Sequence, residues 1–309
     1  MTGVDTQGAL PRLLVTGANG HLGRRLVPLV ASRFEVTAVV RSERARTTLR
    51  NALAPEVARI EVIDYQDVAG LGAAARDCSV VVHLVGILKE SHGGRYREAH
   101  EGSTRALLDA LGPAARSTRF VYLSILGAHP ESVNGCLASK GRAERMLLET
   151  APDSVVVQVP MVLGEGDYAA GALARSARAR IGFAFRSASR EQPVYAGDVV
   201  AVIAAALDEP GVAGSILRLA GPESISRAAL IQRAARHLGN SVTTVSLPFT
   251  VGRVLAWIME RALANPPVTA AMLEVLDHDD EIDPSAACAA LNIELTTLDE
   301  ILRRCIETD

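Results

Sequence analysis

Cysteine is sparse, charge is nearly balanced and no apolar run is long in this chain of 309 residues, and each lack narrows what the protein can be. The four cysteines, Cys78, Cys136, Cys288 and Cys305, form no CxxC pair and no metal-ligand spacing with histidine, so no metal site is expected and a reducing cytoplasm is the expected compartment. A formal net charge of −3 with scattered basic residues gives no electrostatic reason to expect nucleic acid or an anionic membrane as partner. Met1 to Gly8 is polar, without a basic start or an apolar run, so no secretory signal is expected and residues 1–10 read as a flexible leader. The most apolar helix candidate, Phe249 to Ala264, is too short and too charged, at Arg253, Glu260 and Arg261, to span a bilayer. Its apolar face (Val251, Val254, Leu255, Ile258, Met259, Leu263) is expected to pack on the core, with a cleft, a partner or a membrane surface as the alternatives. No internal repeat and no low-complexity linker is present.

What is there is a globular composition, 49% apolar and 22% charged, long enough for one large α/β domain or for a nucleotide domain with a smaller lobe. Within it, Leu13-Leu-Val-Thr-Gly-Ala-Asn-Gly-His-Leu-Gly23 carries glycines at Gly17, Gly20 and Gly23 where an apolar strand gives way to an amphipathic helix. In that context the first glycine permits a tight turn, the second lets the backbone approach a pyrophosphate, and the third lets helix and strand pack closely. The free N–H groups opening the helix, from Asn19 through His21 and Leu22, then face the phosphates.

Strands are expected at Arg12–Thr16, Glu35–Val40, Arg59–Ile63, Ser79–Leu84, Phe120–Ser124 and Ser154–Val159, with helices at Glu43–Ala52, Val68–Ala75, Tyr96–Leu111 and Leu137–Glu149 between them. Continuous apolar strands alternating with helices predict a doubly wound parallel sheet of the Rossmann type over residues 11–160, with ligands at the carboxyl ends of the strands. Beyond Pro160 the rhythm loosens. Helices at Asp198–Leu207, Arg227–Leu238 and Val268–Leu276 and a strand at Ile216–Ala220 predict a C-terminal substrate lobe, residues 161–309, interleaved with the sheet.

Where an acid would hold the ribose hydroxyls of NAD, at the end of the second strand, the sequence reads Val39-Val40-Arg41-Ser42. A guanidinium there suits the 2′-phosphate of NADP, with Arg44 nearby, so NADP is expected ahead of NAD. A small residue after the fourth strand, in Leu84-Val85-Gly86, gives the nucleotide room.

With this loop, Arg41, and the segments Val80-Val-Val-His-Leu-Val-Gly-Ile-Leu88 and Phe120-Val-Tyr-Leu-Ser-Ile-Leu-Gly-Ala128, the chain resembles the short-chain dehydrogenase/reductase superfamily. It is most similar to the atypical branch that includes the dehydrogenase-like accessory subunit of respiratory complex I and the NmrA-like and isoflavone-reductase-like proteins. The resemblance implies a serine after the fifth strand, matched by Ser124, and a Tyr-x-x-x-Lys pair, of which Lys140 is present while Cys136 stands in the tyrosine's place. It also implies an acidic residue near the adenine, matched by Asp64, for which a cap or loop role is the alternative. His83 is read as a cofactor-lining or satisfied strand-end residue, His100 as a group that titrates near neutrality, and Tyr168 and Tyr195 as substitute phenols. Cys136 is read as a filler of the tyrosine's space, since a thiol lacks the reach of a phenol, with Lys140 able to lower its pKa.

Three functions follow from the resemblance. One is an NADPH-dependent reductase or isomerase of a small apolar carbonyl or enone compound. Another is a non-catalytic NADPH-binding protein that stabilises a larger assembly or senses nucleotide redox state, and the last a nucleotide-sugar epimerase or dehydratase, which normally needs the missing tyrosine. A small-molecule substrate is the expected partner, with a protein partner or a homo-oligomer as further expectations.

Overall fold

Six short strands, five of them largely buried and the edge strand β3 half-exposed, line up side by side in the first half of the chain: β1 (Arg12–Thr16), β2 (Glu35–Val40), β3 (Arg59–Val62), β4 (Cys78–His83), β5 (Arg119–Ile125) and β6 (Val155–Val159). The computed structural model describes residues 10–90, 94–263, 269–275 and 279–306; the expected leader lies, residue 10 excepted, outside them. Between the strands run α1 (His21–Val30), α2 (Glu43–Ala52), α3 (Val68–Ala74), α4 (Ser103–Leu111) and α5 (Gly135–Thr150). The second half contributes β7 (Val162–Leu163), α6 (Tyr168–Arg178), β8 (Ile181–Phe185), β9 (Arg190–Glu191), β10 (Val194–Tyr195), α7 (Ala196–Ala206), β11 (Ile216–Arg218), β12 (Ile225–Ser226) and α8 (Arg227–His237). After these come β13 (Thr243–Leu247), α9 (Phe249–Ala262), α10 (Ala270–Val275), α11 (Ser285–Leu291) and α12 (Leu298–Ile306).

The central sheet has seven parallel strands in the order β11-β6-β5-β4-β1-β2-β3. The chain reverses direction of growth between β1 and β4, so the crevice beyond their carboxyl ends is the place where such sheets bind ligands. One core layer joins the sheet to α1 and α7 through Leu26, Val27, Val30, Val199 and Ile203; the other joins it to α3, α4 and α5 through Leu71, Leu107, Leu147 and Tyr122. A separate core gathers α6, α8 and α12 around Leu173, Leu230, Ile301 and Leu302.

The structure departs from the expectations in three places. The helix expected over Tyr96–Leu111 opens with one wide π turn, Glu98–Gly102, before α4 begins, and the extra residue in that turn accompanies burial of His100 on the inner side. The turn-rich reading after Pro160 omits α6, β8, β13, α11 and α12. The expected helix Val268–Leu276 is α10, and both its expected ends lie outside the described residues.

The third departure is α9. Four of its large apolar residues do not pack on the core: Val251, Val254, Trp257 and Ile258 are exposed, while Gly252, Ala256 and the half-buried Met259 face inward. Two small residues let the helix lie close on Phe185, and the branched and aromatic ones are left outside.

Candidate dinucleotide site

Gly17 adopts φ +74°, and a Cβ there would stand 3.0 Å from the Leu84 carbonyl carbon and 3.2 Å from the Val85 nitrogen. The loop after β1 therefore rests directly on the backbone leaving β4, which only glycine allows. Gly23 is tighter still, its missing Cβ falling 2.5 Å from the Ala18 oxygen, and this sets the distance between α1 and the loop. Gly20 is different. It is exposed, has an ordinary φ of −67°, and caps α1 without any side-chain hydrogen bond, so the opening amides of the helix are not covered by a cap.

Two buried polar atoms in the first turn of α1, His21 Nε2 and Arg24 Nε, have no hydrogen-bond partner. Arg25 Nη1, always a donor, bonds His21 Nδ1, so the proton of His21 sits on Nε2 and that nitrogen is a donor as well. Open amides, a cradle that a Cβ would fill and two orphaned donors fit an anionic pyrophosphate.

At the end of β2, Arg41 is exposed and has no side-chain partner among the described residues. Asp64 is also exposed, and its Oδ1 accepts from Gln66 N–H at 2.9 Å in a local turn, while Asp67 rather than Asp64 caps α3. The residue that reaches the loop is its neighbour Tyr65, whose hydroxyl accepts from Gly17 N–H at 3.1 Å and donates to Val39 O at 3.4 Å. Sequence reading missed it; an aromatic residue directly after the third strand was the available signal.

The floor of the cleft is polar and buried. His83 is 1% exposed, bonded through Nδ1 to Thr16 Oγ1 at 2.6 Å and through Nε2 to Ser103 Oγ at 3.2 Å, and stacked on Tyr122. It is a satisfied core residue. His100 accepts from Ile87 N–H at Nε2, 3.1 Å, and its Nδ1 lies 2.7 Å from Ser139 Oγ, which in turn donates to Tyr96 O. Burial, reinforced by the Lys140 charge, lowers both histidines to about 3. His100 is therefore neutral near neutrality, contrary to the expectation from sequence, because it is enclosed beside an ammonium.

Lys140, 4% exposed, donates to Leu123 O at 2.8 Å and to Val85 O at 3.3 Å, and its ammonium lies 4.4 Å from the Tyr122 ring centre. Gly86 makes room for it, since a Cβ there would stand 3.0 Å from Nζ. Lys140 thus ties the ends of β4 and β5 together, and burial lowers its pKa to about 8. Cys136, one helical turn earlier, is fully buried with Tyr96 and Leu137, its Sγ 3.6 Å from Ile87 O. Burial pushes the thiol up to about 11, outweighing the lowering by Lys140. A thiol so held is not an activated nucleophile. Ser124, 1% exposed at the end of β5, makes no hydrogen bond of proper geometry, although it lies close enough to Glu144 to lower that carboxyl's otherwise raised pKa.

The two candidate phenols lie in the second half. Tyr168 is 71% exposed at the start of α6. The Tyr195 hydroxyl donates to Glu165 Oε1, and the other Glu165 oxygen accepts from Arg25 at 2.8 Å, so an unbroken polar chain runs from His21 on α1 to β10. A cavity of about 950 Å³ between α5 and the β11 edge is lined by Glu144, Gln158 and Arg218 but by no residue of the glycine loop, so it is not the dinucleotide cleft. Among the described residues no group of three His, Cys, Asp or Glu could hold a metal, and no helix is long and apolar enough to cross a membrane.

Residues 17–210, from the first glycine of the loop through the central sheet's sixth strand and α7, match the NAD(P)H-binding family. The chain belongs to that family. It is similar to the 40 kDa subunit of mitochondrial NADH-ubiquinone oxidoreductase from Neurospora crassa, 23% identical over 88% of this chain and 72% of that one. It is also similar to the ceramide reductase of Caulobacter vibrioides, 24% identical over 82% and 79% of the two chains. In fold it is like the UDP-glucuronic acid 4-epimerase of Bacillus cereus in complex with NAD, with a TM-score of 0.68 at 17% identity and coverage of 96% and 95%.

Proposed function

We propose that the protein is a reductase, with NADPH as its preferred cofactor, acting on a small apolar carbonyl or enone compound in the cytoplasm. The observation that carries this reading is Ser124: a buried hydroxyl at the carboxyl end of the strand next to the crevice, with no hydrogen bond of proper geometry and with the Glu144 carboxyl close by, is a group that a substrate oxygen can engage. A bound dinucleotide would supply the hydride. Gly17, Gly20, the opening amides of α1 and His21 Nε2 would hold its pyrophosphate, and Leu84 to Gly86 would line the nucleotide. Ser124 would then hold the substrate oxygen, while Lys140 and Cys136 keep the floor beneath it closed to water. The relative named as a ceramide reductase supports reduction of an apolar compound.

The test is a cofactor-oxidation screen of purified protein against quinones, enones and aldehydes, followed by two variants. Ser124→Ala is expected to lower kcat by roughly a hundred- to a thousandfold with cofactor affinity unchanged, the range for losing one donor to the reacting oxygen. Cys136→Ala is expected to cost about 1 kcal/mol of stability and to leave turnover within a few fold. The reverse order of effects would make the thiol the reacting group.

Preference for NADP rests on Arg41, without a side-chain partner among the described residues where an acid would serve NAD. Arg41→Ala is expected to weaken NADP(H) by roughly ten- to a hundredfold, since a charge-assisted phosphate contact contributes about 1.5–3 kcal/mol, and to leave NAD(H) unaffected. Calorimetric titration of both cofactors checks it; equal wild-type affinities would refute the preference.

A second reading, a non-catalytic NADPH-binding protein within a larger assembly, is favoured by one observation: Lys140 and Cys136, where a reductase would carry its proton donor pair, are both spent on the fold. The likeness to complex I subunits points the same way. No turnover in the screen, with tight cofactor binding, would favour it.

A further inference from the structure

Helix α9 is amphipathic in the opposite sense from a helix docked on a core. Two of its inward residues are small, beside the half-buried Met259: Ala256 is 0% exposed, and a Cβ on Gly252 would meet Phe185 at 2.8 Å and Leu273 at 3.2 Å. At 100° per residue the opposite side carries Val254, Trp257 and Ile258, which are 57%, 54% and 48% exposed. Phe185 is the last residue of β8, and alternation puts Ile181 and Phe183 on the same face of that strand, exposed by 54% and 61%. Val245, paired with Phe183 across the two-stranded sheet, is exposed too. So α9 crosses one end of that sheet and the rest is left uncovered by the described residues, and helix and sheet together form an apolar step.

Arginines border this step. Arg253 and Arg261 stand on α9 and Arg180 immediately precedes β8, all exposed, and the Arg261 guanidinium lies 4.0 Å from the Trp257 ring centre. An aliphatic face carrying a tryptophan and fringed with arginines is the composition of a helix that lies in the headgroup layer of a bilayer. Against the one acid of α9, Glu260, the three arginines leave a local positive excess that the overall charge of −3 does not express. Pairing the step with a second copy of itself would crowd both sets of arginines into one contact, whereas lipid phosphates complement them.

We propose that this step docks on an anionic lipid surface, with α9 lying in the plane of the headgroups, so that an apolar substrate is taken from the membrane rather than from water. The last clause rests on the reductase reading; the docking does not.

Trp257 is the chain's single tryptophan, so its fluorescence reports on this step alone. Titration of the whole protein with vesicles of phosphatidylcholine and phosphatidylglycerol in equal parts should shift the emission to the blue, and brominated acyl chains should quench it. Binding to vesicles of phosphatidylcholine alone, or of Arg253→Glu/Arg261→Glu to the mixed vesicles, should be roughly tenfold weaker or more. Val254→Asp/Ile258→Asp, with an unchanged circular dichroism spectrum, should not bind. An emission maximum indifferent to vesicles would overturn the proposal. So would a blue shift that grows with protein concentration in the absence of lipid, which would assign the step to a second copy, or binding by the aspartate pair equal to wild type. Neither cofactor nor substrate enters the titration, so a protein that docks but turns nothing over would retain the docking and lose the reductase reading.

Discussion

Gly20→Val is expected to abolish detectable NAD(P)H binding in a protein that still folds. The position tolerates a side chain as far as the backbone is concerned, with its ordinary φ, its exposure and one neighbour, the Gly17 oxygen, at 3.1 Å from the new Cβ. The branch, however, would stand at the mouth of the loop where the pyrophosphate must approach the amides of α1. Losing two such charge-assisted contacts costs about 3 kcal/mol or more, roughly a hundredfold or greater in affinity. Gly23→Val is the contrast. Its Cβ would lie 2.5 Å from the Ala18 oxygen, so α1 would have to leave its place, and the expected result is a destabilised protein rather than a folded one that cannot bind. Calorimetric titration beside thermal melting separates the two. A Gly20→Val protein that binds cofactor like wild type would reduce the loop to a structural turn.

Mild acid is expected to weaken the fold through its two buried histidines. His83 and His100 are lowered to about 3 by burial and by Lys140, against 6.5 in an unfolded chain. Below 6.5 the unfolded state takes up protons that the folded state refuses, so their contribution is intact above that pH and is lost as pH falls toward 3. At pH 5 each is held uncharged about 1.5 units below its free pKa, a loss of about 2 kcal/mol apiece and about 4 kcal/mol together, a large share of a typical stability. Urea unfolding midpoints at pH 7.5 and 5 measure it. His100→Gln, which keeps a polar group facing Ser139 and Ile87, should reduce the difference by about half. Equal midpoints for the wild type would mean that the two rings are not held neutral.

The parallel sheet was legible because most of its strands carry short apolar runs, and the expected bounds of β1 and β2 are the observed ones. The glycine loop was legible for the same local reason: the turn and the close approaches involve neighbours in sequence or the next strand. The unread elements depend on distant partners. Helix α6 carries mostly alanine and arginine, so its periodicity is faint, and only the Asp167 cap, accepting from Ala170 N–H, marked its start. In α9 the apolar stripe was visible, but a stripe does not say whether it faces inward; Gly252 and Ala256 took the buried side with the half-buried Met259, and Val251, Val254 and Ile258 stayed outside. Nor could sequence show that the Lys140 ammonium is engaged by Val85 and Leu123, or that the same ammonium stands beside His100 and keeps it neutral. Those facts belong to the meeting of α5 with the ends of β4 and β5.

Arg25 leans from the first helix onto Glu165, and Glu165 in turn holds Tyr195, beside which Arg304 of the last helix lies. The segment that opens at the phosphate loop is thereby fastened to parts of the chain nearly three hundred residues away. Free energy passes along such a fastening in both directions. Whatever a ligand seated in the second half does to the affinity at the loop, a dinucleotide at the loop does by an equal factor to that ligand, and the product of the two affinities is indifferent to which arrives first.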